Sequence, residues 1–188
     1  MAWLGLYCVL KYARLILKFD FMDKIPISLR PARQAAVDLL RDYNVVVPPV
    51  NISEILAWEW LYISEFPFPP DADDLSWLLD ISDKHVFINE HDNDCNKSYT
   101  VAHELWHWVL HRNYLQKEPE KYSVVFKKKW QRMNEDILEI EADCFARNLL
   151  VPRFMLDEYR NRAWIMELSK IFWVSPFLIE QRIAQEYE

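Results

Sequence analysis

His103 and His107 stand four residues apart with Glu104 beside the first of them, in the run Tyr99-Thr100-Val101-Ala102-His103-Glu104-Leu105-Trp106-His107. On a helix that spacing puts both imidazoles on one face, where they can grip one zinc ion. Glu104, one step round, can then hold a metal-bound water. The three letters of HExxH alone are a weak pattern, so the surroundings must carry it. Val101, Leu105, Trp108 and Val109 make this stretch strongly apolar, and two histidines and a glutamate are costly to bury there unless they share a purpose.

A catalytic zinc site needs a third protein ligand and an open fourth position. The helical stretch 135–152 offers Glu139 and Asp143, again four apart and on one face. Glu139 can complete the ligand set, while Asp143 reaches a ring N–H of His103 or His107 and fixes its tautomer. Ala142 and Ala146 keep that helix thin enough for the two helices to approach. Glu141 is the rival ligand; it lies about 200° round the helix from Glu139, so only one of them can face the ion. His111 sits about 12 Å beyond His103 at helical rise, out of reach of the same ion, and is expected to hydrogen-bond near the helix end. Tyr99, His111 and Tyr122 are each available as a transition-state donor, and spacing selects none of them.

The elements that must position these residues can be read on either side. Pro31 opens a helix with Ala35, Ala36, Leu39 and Leu40 at helical spacing, ended by Asn44. Pro48-Pro49 forces an extended link, and Asn51 or Ser53 caps a short second helix through Ile55 and Leu56. The aromatic and β-branched runs 58–66, 75–81 and His85–Asn89 read as a small meander of strands. Everything after Asn96 is helical in period, with breaks near Pro119, Pro152 and Pro176. The stretch 113–130, with Lys117, Lys121 and Lys127-Lys128-Lys129, reads as a solvated loop. The expected fold is α+β, a small antiparallel or mixed sheet packed on a helical bundle that contains both zinc helices.

Composition narrows the function. The 188 residues carry a formal charge of −7, which does not suit a phosphate-binding surface and argues against direct DNA binding. One glycine, Gly5, excludes glycine-rich phosphate loops and requires later turns to use Pro, Asn, Asp or Ser chemistry. Three scattered cysteines with no CxxC pair suggest neither a disulfide framework nor a cysteine zinc site, and fit a reducing cytoplasm. The apolar stretch 2–21 is broken by Lys11, Arg14 and Lys18, so neither a transmembrane segment nor a secretory signal is expected. Residues 1–29 read as an N-terminal extension, either an amphipathic helix or sequence upstream of a true start at Met22, and 30–188 as one domain.

The order of an Ala35-Ala36-Val37 helix, Val47-Pro48-Pro49-Val50-Asn51-Ile52, His85-Val86-Phe87-Ile88-Asn89, the HExxH run and Glu139-Ile140-Glu141-Ala142-Asp143-Cys144-Phe145-Ala146 resembles the ImmA/IrrE family of metallopeptidases over roughly residues 30–185. The resemblance implies that His103, His107 and Glu139 bind zinc and that Glu104 is the general base. It also implies that the substrate is a partner protein such as a helix-turn-helix repressor of a mobile element or stress response. The tail, with Leu168-Ser169-Lys170 and Val174-Ser175-Pro176, resembles the family's closing helix-turn-helix-like element at about 164–186. Its basic residues are few, so packing or partner contact is expected of it. Trp106 and Trp173 stand where the family commonly has glycine. Trp106 can narrow a substrate cleft or fill a core gap, and the sequence leaves both open. The function expected is therefore a zinc-dependent metallopeptidase; the alternative is a non-catalytic regulator or toxin–antitoxin partner that keeps a structural metal site and acts by binding protein.

Overall fold

The computed structural model of the chain describes residues 29–68, 75–80, 83–111, 124–128 and 137–187. The expected N-terminal extension lies outside them except for Leu29. The first helix, α1 (Arg30–Asp42), carries a proline in its first turn and buries one stripe, Ala32, Ala35, Ala36, Leu39 and Leu40. Helix α2 (Ile52–Trp58) follows, capped by Asn51, whose side chain accepts a hydrogen bond from the Glu54 N–H at 3.4 Å.

Strands β1 (Tyr62–Phe66), β2 (Leu75–Asp80) and β3 (His85–Asn89) come next, then helix α3 (Asp94–Trp106), which runs into a π-helical turn at His107–His111. Asn93 caps α3 by accepting from the Asn96 N–H at 2.9 Å. Strand β4 (Val124–Lys128) precedes the remaining helices α4 (Ile137–Leu150), α5 (Arg153–Tyr159), α6 (Ile165–Phe172) and α7 (Pro176–Tyr187). The architecture is α+β, as the sequence predicts. No helix among the described residues is long and apolar enough to cross a membrane.

The four strands form one mixed sheet in the order β1-β3-β2-β4. Strand β1 runs parallel to β3, with Tyr62 opposite His85, while β2 is antiparallel to both β3 and β4, with Leu78 opposite Phe87 and Phe126. This corrects the expected meander, in which β1 would have paired with its neighbour β2. It also corrects the loop expected over 113–130 and the purely helical reading after Asn96, since β4 falls there. Val124-Val125-Phe126 is too short a β-forming run to announce a strand beside three lysines, and its partner lies some way back in the chain; pairing at a distance overrides local pattern. The first strand is also shorter than 58–66, because Trp58 ends α2 and Trp60 turns the chain with a left-handed φ of 60°.

Helix α4 is the centre of the core, packed between α1 and α3. Alanines make that close approach possible: Ala32 and Ala36 on α1, Ala102 on α3, and Ala142 and Ala146 on α4 are all fully buried. Trp106 is also fully buried, its ring 5.0 Å from that of Phe145 on α4. The indole therefore fills the seam between the two helices, which resolves the choice between cleft and core. At the far end Arg182 on α7 is buried and donates through Nε to the Val151 carbonyl (3.0 Å) and through Nη1 to Gln185 and Glu186. Tyr187 donates to Asp157 on α5 at 2.6 Å, with Arg160 stacked 4.0 Å from its ring. The contacts to Val151, Asp157 and Arg160 clasp α7 to the rest.

Left-handed backbone occurs at Asn44, Trp60, Lys84 and Trp173. Only Asn44 belongs to the residue types expected for turns in a chain so poor in glycine. The left-handed conformation costs a residue with a Cβ roughly 1–2 kcal/mol, and Trp60, Lys84 and Trp173 adopt it although each is exposed.

Candidate metal centre

Two ladders of four-residue spacing face each other across the α3–α4 seam. Tyr99, His103 and His107 rise along α3 into the π-helical turn, and Glu139, Asp143 and Arg147 rise along α4. The buried apolar stripe of each helix fixes which residues meet. The turn that opens at His107 widens the helix where the second imidazole projects, and such π turns recur at functional sites.

Glu139 bridges the two imidazoles. Its Oε2 lies 3.2 Å from His103 Nε2 and its Oε1 lies 3.1 Å from His107 Nε2, while the two Nε2 atoms are 3.2 Å apart. Ligand atoms held 2.0–2.2 Å from one zinc ion at tetrahedral angles stand about 3.3 Å from each other. The three groups thus fit a tetrahedral ion in donor type and in spacing, and among the described residues they form a group that could hold a metal. Glu104 is fully buried beside them, its Oε1 3.9 Å from His103 Nε2. On the other side of the ring, His103 Nδ1 lies 3.0 Å from Asp143 Oδ1. A carboxylate only accepts, so the Nδ1 proton points at Asp143, and once a metal displaces the proton that Nε2 shares with Glu139 the Nε2 lone pair is left for the cation.

The electrostatics follow from this convergence. Burial opposes charge on His103, but hydrogen bonds to Asp143 and Glu139 and the nearby Glu104 carboxylate outweigh it, and the pKa is pushed up to about 9. Burial likewise opposes charge on Glu139, yet the two imidazoles hold its carboxyl well below the usual carboxylate range. A cluster that binds a proton so firmly offers a site to a competing cation, since metal binding displaces that proton. Glu141 behaves differently: it is buried away from the cluster, and burial pushes its pKa up to about 7. Tyr99 is kept protonated by burial and by the negative charge of Asp143.

The structure brings together His103, His107, Glu139, Glu104 and Asp143, the residues that the spacing singles out, with Glu141 the rival it leaves open to Glu139. His111 ends the π-helical turn, its side chain outside the described residues, as is the whole of Tyr122. The Tyr99 hydroxyl, one of the candidate donors, is instead engaged by Asp143 Oδ1 at 2.9 Å. Arg147, which sequence reasoning passed over, meets Asp143 Oδ2 at 3.4 Å. The signal for it was present, one more step of the same four-residue ladder.

Residues 63–184 match the M78 peptidase family, described as the IrrE N-terminal-like domain. A protein of Bacillus phage phi105, described as uncharacterized immunity region protein 2, is 27% identical over 91 residues, covering 48% of this chain and 52% of that protein. Among solved structures, a Mycobacterium tuberculosis transcriptional regulator superposes with a TM-score of 0.56 at 13% identity, over 82% of this chain and 46% of that one. The chain thus spans about half the length of each of these two proteins.

Proposed function

The chain belongs to the M78 peptidase family of IrrE N-terminal-like domains, and from that membership we propose that it is a zinc-dependent metallopeptidase. Its substrate in this reading is a helix-turn-helix repressor of a mobile element or stress response, met in the cytoplasm. The observation that carries the reading is the convergence of His103, His107 and Glu139 at 3.1–3.2 Å with Glu104 buried beside them. Two imidazoles and one carboxylate are the donor set of catalytic zinc. The phage relative, by its description an immunity-region protein, supports a partner tied to repression.

His103, His107 and Glu139 hold the ion, and Asp143 keeps the His103 ring in the tautomer that can bind it. Bound there, zinc supplies Lewis acidity, polarising a peptide carbonyl and lowering the pKa of water. Glu104 takes the proton of the attacking water and passes it to the leaving amine. The domain we assign runs over 30–188. Its tail at about 164–186, comprising α6 and α7, serves packing or partner contact, since Arg182 is fully buried and adds nothing to a phosphate-facing surface.

Zinc-loaded protein incubated with helix-turn-helix repressors encoded beside it tests the reading by intact mass. The expected result is two fragments whose masses sum to the parent plus one water, and none with Glu104→Gln, which still retains zinc. Release of the repressor from its operator without cleavage, equally by wild type and Glu104→Gln, would support the non-catalytic regulator in its place.

A further inference from the structure

We infer that Tyr99 and Arg147 are positioning residues for the metal site, acting on His103 through Asp143; the inference rests on reading His103, His107 and Glu139 as metal ligands. Tyr99 lies one turn before His103 on α3, and Arg147 one turn after Asp143 on α4. On α3 the support stands one turn from a ligand and on α4 one turn from Asp143 itself, and both supports converge on that one carboxylate.

The Tyr99 hydroxyl donates to Asp143 Oδ1 at 2.9 Å, the same oxygen that accepts from His103 Nδ1 at 3.0 Å. Arg147 Nη2 donates to Asp143 Oδ2 at 3.4 Å. The Asp143 side chain is 27% exposed, so water competes for its oxygens. A carboxylate held only by His103 can turn about its terminal torsion and take water instead. With a hydroxyl on one oxygen and a guanidinium on the other, one orientation satisfies all its partners together, and in that orientation the His103 Nδ1 proton has its acceptor. The ring is then oriented with Nε2 toward the ligand point before the ion arrives, which removes part of the ordering cost of binding.

A merely structural role, in which Tyr99 and Arg147 pin α3 to α4, makes a different prediction. Zinc dissociation constants, measured on the full chain by competition with a chromophoric chelator, are compared for wild type, Tyr99→Phe, Arg147→Met, Asp143→Ala and the two doubles with Asp143→Ala. Thermal unfolding of the metal-free proteins runs beside them. Outer partners of a metal ligand are worth about ten- to a hundredfold in affinity, and Asp143→Ala should fall in that range. Each of the other two singles should weaken zinc by about fivefold or more, while metal-free Tyr99→Phe, which loses one oxygen atom, unfolds at the wild-type temperature. In the Asp143→Ala background neither change should cost a further twofold, a gross failure of additivity that marks action through Asp143. Unchanged affinity in both singles, or equal losses with and without Asp143, overturns the inference while leaving the metal site intact. A wild type that takes up no zinc overturns the metal reading itself, and the inference with it.

Discussion

The distinction between Glu139 and Glu141 shows how far a single residue can be placed from its neighbours. The two carboxylates are separated by one residue, yet one is fixed between two imidazoles and the other is buried away from them. Metal analysis of protein purified without added zinc should therefore find about one ion per chain in wild type and in Glu141→Ala. In His103→Ala and Glu139→Ala it should be lost; retention of the ion by Glu139→Ala would remove that residue from the ligand set. The five groups at the site were legible because helical period is rigid: four residues apart means one face, whichever sheet or loop surrounds it. Choosing Glu139 over its rival needed the seam itself, since which face of α4 meets α3 depends on where the alanines allow approach. Tyr99 and Arg147 sit at the same period, but their types do not announce metal chemistry, and their part depends on a carboxylate contributed from across the seam.

At the scale of elements, the α3–α4 seam is the structural unit of the site, and Trp106 is its largest buried side chain. Its ring lies against Phe145 of α4, and Trp106 directly precedes His107 in the chain. Truncation to alanine leaves a void that the alanine-lined seam cannot close, at a cost of about 3–5 kcal/mol. Chemical denaturation of Trp106→Ala should show that loss, and a midpoint near wild type would mean the seam repacks. The helices themselves were readable from proline, asparagine caps and apolar period. The sheet was read less well. Strand β1 passes over its sequence neighbour to pair with β3, and β4 is recruited from a lysine-rich stretch; both are decisions of tertiary pairing that no local window contains.

Across the whole molecule, the shortage of glycine has a measurable expression. Trp173 closes α6 in the left-handed region, with φ 56° and more than half its surface exposed. Glycine is the residue that adopts this conformation without penalty. Trp173→Gly should therefore stabilise the protein by about 1 kcal/mol, after allowing for the greater freedom of glycine in the unfolded chain. A midpoint raised by a few degrees in thermal unfolding is the expected reading, and a lowered one would show that the exposed indole contributes packing of its own.

The proposed ligands come from two stretches of chain, His103 and His107 on one side and Glu139 on the other, with 31 residues between His107 and Glu139. An ion shared by them is a reversible cross-link, and occupancy becomes a thermodynamic variable of the fold. Above the dissociation constant, each tenfold rise in free zinc adds about 1.4 kcal/mol to the stability of the folded state. A strong chelator should accordingly lower the unfolding midpoint of wild type and leave Glu139→Ala where it was. The seam that holds the chemistry would then also report, through the lifetime of the folded chain, how much metal its surroundings contain.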